Sequence, residues 1–232
     1  SREVIKALRR YQKDDDIKAI VLRVDSPGGA VAPSQEIYDT LKEIQFEGKK
    51  KIVTSMGTVA ASGGYYIASA ADKIYADKAS IVGSIGVRMD NFGFVDAMKK
   101  LGVERRTLTA GENKALMDPF APVDEEVNAH LQTMLANIHQ QFINAVKKGR
   151  GDKLKQNAED LFSGLIWTGE QSLEIGLVDE LASSGYVARE VIGEENIVDY
   201  TKTDNLLDRL AKRMGATVAH ILIQQNTLPR LY

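Results

Sequence analysis

Three kinds of residue in this 232-residue sequence have the chemistry for covalent catalysis: a serine among small neighbours, lysines that can act as bases, and three histidines. Ser62 stands in Ala60-Ala-Ser-Gly-Gly-Tyr65, directly after an apolar run. A serine hydroxyl is a poor nucleophile until a base removes its proton, and the oxyanion it creates needs preplaced N–H donors. Ala60, Ala61, Gly63 and Gly64 are small enough to let a peptide backbone approach Ser62 closely. The Gly63 N–H, at the start of a predicted helix, can donate to an oxyanion with help from the helix dipole. Gly29, in Asp25-Ser-Pro-Gly-Gly-Ala30, can supply a second donor. A lone Pro-Gly-Gly is simply a tight turn. Two such turns, one carrying a serine at the mouth of a helix, read as a site. Neither is a phosphate loop, because GxGxxG and GxxxxGK[ST] are both absent.

The base is the harder assignment. His130 and His139 lie nine apart on one long predicted helix, and His220 lies in a C-terminal helix. None falls in a loop beside the two turns, so a Ser-His-Asp triad has little support, and all three read as surface or helix-packing residues. A lysine serves instead if it is neutral at working pH. Lowering its pKa from ~10.4 to ~7.5 means destabilising the charged form by about 4 kcal/mol, which apolar burial can do. Lys114, in Thr109-Ala-Gly-Glu-Asn-Lys-Ala-Leu-Met-Asp-Pro-Phe120, follows a predicted strand and has apolar flanks.

The elements that must position these residues alternate. Apolar residues fall at helical spacing from Val4 to Tyr11, and Ala19–Val24 reads as a buried strand ending at the first glycine turn. Ile37, Leu41 and Ile44 mark a helix over Pro33–Gln45, and Lys51–Met56 the next strand. Ala60–Ala71 is read as helix and Lys73–Ala76 as strand. Such spacing suits right-handed crossovers and a parallel sheet, with both glycine turns at its carboxyl end. A helix is expected near Phe94–Leu101, a strand near Val103–Thr109 and a long helix over Asp124–Lys147. Thr168–Leu181 reads as turn, helix and strand. Leu206–Leu222 reads as an amphipathic helix that packs on the core or on a neighbouring subunit. The whole chain, 1–232, reads as a single α/β domain with a helical arm at 124–163 and a C-terminal helix within 204–232.

Composition narrows the classes further. The formal net charge of −2 gives no nucleic-acid footprint. Without cysteine there is no disulfide framework, thiol nucleophile or thiolate metal site. No run approaches the ~20 apolar residues of a membrane span. The chain starts at Ser1 rather than Met and is read as a fragment.

The ordered set DSPGG, MGxxAASGGYYIA, GSIG and TAGxxKxxxDPF resembles the signal peptide peptidase A family, as does Trp167-Thr-Gly-Glu-Gln-Ser-Leu-Glu-Ile-Gly-Leu-Val-Asp179. The resemblance runs from about Ala19 to Leu181 and implies a ClpP/crotonase-like fold of repeated ββα/βαβ units. It also implies a serine peptidase with a Ser-Lys dyad, needing neither cofactor nor metal. By position, Ser62 corresponds to the nucleophile, Lys114 to the general base and Ser84 to the serine that orients the lysine. Gly29 and Gly63 correspond to the oxyanion donors. Both dyad residues lie in one module, as in the family's shorter branch. The resemblance further implies remnant signal peptides or short unfolded peptides as substrates, and a homo-oligomer. It implies a membrane anchor ahead of Ser1 and a catalytic domain on the extracytoplasmic side. The rivals are a crotonase-type acyl-CoA enzyme and a non-catalytic scaffold of the same fold.

Overall fold

The computed structural model describes residues 1–48, 50–155, 159–193 and 198–200. Two compact units divide the chain, Ser1–Glu195 and Asn196–Tyr232. Every element below belongs to the first. Residues 198–200 of the second are irregular. The helix expected within 204–232 lies outside the described residues.

The first unit is a mostly parallel sheet with helices against it. Helix α1 (Arg2–Gln12) precedes β1 (Ala19–Ser26), α2 (Val31–Phe46), β2 (Lys51–Ala61), α3 (Gly63–Ala68), β3 (Lys73–Ala76) and β4 (Ile81–Gly83). Strand β2 organises the rest, because at eleven residues it is long enough to serve several partners. Along one side it pairs in parallel with β1. Its first half also pairs with β3, Val53 opposite Lys73, and its last residues pair with β4, Ala61 opposite Gly83. Leu41 and Ile44 of α2, Ile52, Ile74 and Val82 of the strands, and Leu177 fill one core. Apolar residues repeat at helical spacing on α2, and burial runs unbroken from Ile52 to Gly57 of β2, as a strand covered on both faces requires.

The second half adds α4 (Val95–Leu101), α5 (Glu125–Arg150), β5 (Ile166–Thr168), α6 (Gly169–Glu174) and β6 (Glu180–Leu181). Local chemistry sets their ends. Asp124 caps α5 by accepting from the Glu126 and Val127 N–H groups, with acidic residues in the first turn and basic ones in the last. Thr168 and Gln171 form a reciprocal capping box on α6. Strand β5 pairs antiparallel with β4, and β6 pairs in parallel with β3.

An aromatic ladder joins three helices: Tyr38 of α2 meets Tyr66 of α3 edge-on at 5.4 Å, and Tyr66 stacks on Phe142 of α5 at 4.7 Å. The Tyr38 hydroxyl donates to the Ala145 carbonyl, and burial pushes its pKa up to about 12. At the end of α5 the buried Arg150 guanidinium forks onto Asp179 at 2.8 and 3.0 Å and donates from Nε to the Gly176 carbonyl. The same carboxylate accepts from the Ile74 N–H of β3.

Two expectations change. Ala60 and Ala61 extend β2 rather than starting a helix, because they pair with Val82 and Gly83 of β4, and α3 keeps only Gly63–Ala68. Residues 103–109 are irregular. Leu108 there is fully exposed, and among the described residues no strand pairs with the segment.

Candidate active site

The two glycine turns touch. A Cβ built on Gly28 would stand 2.7 Å from Ser62 Cβ and 3.1 Å from both Ser62 Oγ and Gly63 N. One built on Gly63 would meet Ser34 Oγ at 2.6 Å and Gly29 N at 3.2 Å, and one on Gly64 would meet the Ser26 carbonyl at 2.8 Å. Glycine is required here for closeness, and at Gly28 also for its φ of +121°. Local hydrogen bonds hold the first turn: Gly28 N–H donates to Ser26 Oγ, and Ser34 Oγ donates to the Ala30 carbonyl. Ahead of it, the Asp25 carboxylate accepts from the Val59 N–H, across the irregularity where β1 and β2 lose register. Among the described residues, neither the Gly29 nor the Gly63 N–H donates to another group.

Ser62 and Ser84 leave the sheet side by side. Each follows one member of the last paired positions of β2 and β4, Ala61 opposite Gly83, and the Ser62 N–H donates to the Gly83 carbonyl at 2.8 Å. Both have positive φ, 51° and 52°. For a residue with a side chain this costs of order 1–3 kcal/mol and persists only where surroundings over-determine it. Ser62 has ψ −123° and makes no side-chain cap to α3, and among the described residues its half-buried Oγ has no hydrogen-bond partner at this sharp strand-to-helix turn. At six residues α3 is short, so the N–H groups at its mouth matter more than its dipole. Ser84 is fixed by its own N–H, which donates to the Leu165 carbonyl at 2.7 Å, and by the Gly86 N–H, which donates to the Ser84 carbonyl.

Lys114 lies elsewhere. It is exposed, and it lines a cleft of about 310 Å³ with Arg105, Thr107, Thr109, Ala115 and Asp118. Neither serine lines that cleft. Among the described residues no hydrogen bond or ion pair joins the ammonium to Ser62 or Ser84. The segment around it makes its own small assembly. Arg105 pairs with Asp118 and lies 5.1 Å over the Phe120 ring, which stacks on Phe94. Asn91 donates to the carbonyl of Met117, a third non-glycine residue with positive φ. The Phe120 N–H, with Arg105, holds the Asp118 carboxyl below the usual carboxylate range. Around these, Phe92, Leu101, Val103, Leu108 and Val123 are exposed apolar side chains. Expected apolar burial of Lys114 is therefore not met inside one chain. The structure brings together Ser62, Ser84, Gly29 and Gly63, and leaves Lys114 on a separate arm.

Two touching glycine turns, a strained serine and a distant lysine can now be set beside known proteins. The model of peptidase family S49 matches residues 44–197, which include Ser62, Ser84 and Lys114. The chain belongs to peptidase family S49, the signal peptide peptidase A family. The Clp protease model matches residues 1–82, in keeping with a ClpP/crotonase-like α/β fold for this S49 chain. Relatives of the S49 chain carry several names. A Brucella abortus protein named Na(+)/H(+) antiporter NhaA is 44% identical over 81% of this chain and 25% of its own length. The shared quarter is the part that resembles an S49 peptidase, so the antiporter name stays with that longer protein. An Enterococcus faecium protein provisionally named signal peptide peptidase SppA is 35% identical over 84% of this chain and 56% of its own. The chloroplastic serine protease SPPA of Arabidopsis thaliana is 30% identical over 77% of this chain and 26% of its own. The chain thus spans between about a quarter and just over half of these relatives' lengths.

One residue at the S49 site escaped the sequence reading. His139 of α5, read as a packing histidine, has its Nε2 3.0 Å from the Ile85 carbonyl, beside Ser84. Its only sequence signal is its place one helical turn before Phe142, on the inward face of α5.

Proposed function

We propose that this chain is the catalytic module of a serine peptidase that cleaves peptide bonds through an acyl-enzyme on Ser62, with Lys114 as general base. The observation that carries the reading is the uncapped Ser62 hydroxyl on a strained strand-to-helix turn, packed against the Gly28-Gly29 turn with free Gly29 and Gly63 N–H groups beside it. Neutral Lys114 removes the Ser62 proton as Oγ attacks the carbonyl carbon. The two N–H groups receive the oxyanion, the C–N bond breaks, and lysinium returns the proton to the leaving amine. The same base then activates water to release the acyl group. Ser84, next to Ser62 at the sheet's end, orients the lysine.

Lys114 reaches Ser62 from a second copy of the chain. Support comes from the exposed lysine on an arm bearing Phe92, Leu101, Leu108 and Val123, an apolar surface that a neighbouring copy would cover and so supply the desolvation a neutral lysine needs. A homo-oligomer is part of this reading. Remnant signal peptides, or short unfolded peptides at the extracytoplasmic membrane face, are the substrates that the family resemblance favours. The membrane anchor would belong to the longer protein.

Complementation tests the dyad and the assembly together. Ser62→Ala and Lys114→Ala should each abolish hydrolysis of a quenched peptide and labelling of Ser62 by a fluorophosphonate. Unfolded and refolded together in equal amounts, they should regain about a quarter of wild-type activity, since each site draws its serine and lysine from different copies. A mixture that stays dead while both variants assemble normally would refute the shared dyad. Full activity of Lys114→Ala alone would refute the base.

A further inference from the structure

We infer that His139 is a positioning residue that acts on the reaction through Ser84, an inference that rests on the reading of Ser84 given above. The turn at 84–86 must hold a serine with φ 52° at a fixed place beside Ser62, and it has few restraints. On one side the Leu165 carbonyl takes the Ser84 N–H, and the Gly83 carbonyl takes the Ser62 N–H. On the other side Ile85 is fully buried, and its carbonyl faces His139 Nε2 at 3.0 Å. Ser84 is thereby pinned between two carbonyls, of residues 83 and 85, each with a partner. The second of these partners is a side chain carried by a different element.

The chemistry of that contact is one-directional. A carbonyl oxygen only accepts, so Nε2 must carry the hydrogen. The ε-tautomer satisfies this. His139 is well held for the task. Phe142, Ala145 and Val146, within the next two turns of α5, are buried in the core, and Phe142 stacks on Tyr66 of α3. The imidazole itself is only half-buried. Next to His139 the helix is anchored by Phe142, Ala145 and Val146, and the ring serves the turn. In this arrangement α5 fixes both ends of the serine pair: through Phe142 it braces α3, which begins at the Ser62 turn, and through His139 it braces the Ser84 turn.

The test compares kcat and KM for a quenched apolar peptide in the assembled protein, using His139→Ala, His139→Gln and Ser84→Ala, with thermal unfolding alongside. Losing one hydrogen bond that orders an orienting serine should lower kcat about three- to tenfold in His139→Ala, with KM unchanged. His139→Gln, whose Nε2 can reach the same carbonyl, should restore most of that loss. In a Ser84→Ala background His139→Ala should cause no further fall in kcat, whereas any effect on unfolding should persist there. The inference is overturned by wild-type kcat in His139→Ala, by Gln performing no better than Ala, or by the same fold-loss with and without Ser84. If Ser84→Ala itself leaves kcat unchanged, the assignment of Ser84 is what fails, and the role of His139 falls with it.

Discussion

Replacing Gly28 with alanine tests the contact between the two turns directly. The new Cβ would lie 2.7 Å from Ser62 Cβ and 3.1 Å from Ser62 Oγ and Gly63 N. Carbon atoms pack at about 3.5–4.0 Å, so the turns must separate by roughly 1 Å. None of the three atoms is the end of a long flexible side chain, and the strain cannot be absorbed by a rotamer. Two stability costs follow: about 1–3 kcal/mol for a side chain at φ +121°, and about 1–3 kcal/mol for overpacking. The effect on catalysis is larger. On the proposed mechanism, a displacement of about 1 Å between Ser62 Oγ and the Gly63 N–H costs on the order of a hundredfold in rate. The assay is the rate of Ser62 phosphonylation by a fluorophosphonate together with peptide hydrolysis, and urea unfolding reports stability. Gly29→Ala is the control, because a Cβ there meets nothing within 4 Å and the N–H is retained. It should unfold within about 1 kcal/mol of wild type. Wild-type phosphonylation in Gly28→Ala, or equal destabilisation by both substitutions, would show that the turns do not depend on this contact.

Two further outcomes concern the scaffold. Arg150→Ala should destabilise by about 3–5 kcal/mol in urea unfolding, toward the lower end because Lys153 also reaches Asp179, at 2.7 Å. Burial tends to raise the Asp179 carboxyl, but hydrogen bonds from Arg150 and Lys153 outweigh it and hold it below its ordinary value. A lowered folded-state pKa gives stability that is present above the unfolded value, ~3.9, and is lost as pH falls through the folded value. Unfolding free energy should therefore fall below about pH 4, and Asp179→Asn should flatten that part of the profile.

Much of the fold was legible because it rests on local patterns. The stripe Ile37, Leu41, Ile44 gave α2, the run Ala19–Val24 gave β1, and glycines beside Ser62 marked a turn that structure confirms as tight. What escaped depends on partners far along the chain. Ala60 and Ala61 favour a helix on propensity, and pairing with β4, about twenty residues on, and of Ala60 with Ser26 of β1, draws them into β2. Residues 103–109 have strand-like composition but no strand to pair with. The short β4 and β5 carry too few residues for a period to emerge. At the site, Ser62, Ser84, Gly29 and Gly63 fell together because adjacent parallel strands deliver them to one end of the sheet. Lys114 was read as the base from its motif and apolar flanks, but its place on a cleft that neither serine lines could not be read from a linear string. Nor could His139, whose partner is a main-chain carbonyl more than fifty positions away.

The free N–H groups of Gly29 and Gly63 bear on how such a module changes over generations. A single codon change removes Ser62 or Lys114, but every residue except proline supplies a main-chain N–H. Gly29 could therefore change and keep its N–H, since a Cβ there meets nothing within 4 Å, whereas a Cβ on Gly63 would stand 2.6 Å from Ser34 Oγ. On the proposed mechanism, descendants that lost the serine would inherit a cradle still able to polarise a carbonyl. Selection could then fit a different nucleophile, or a different acyl group, to turns already in place.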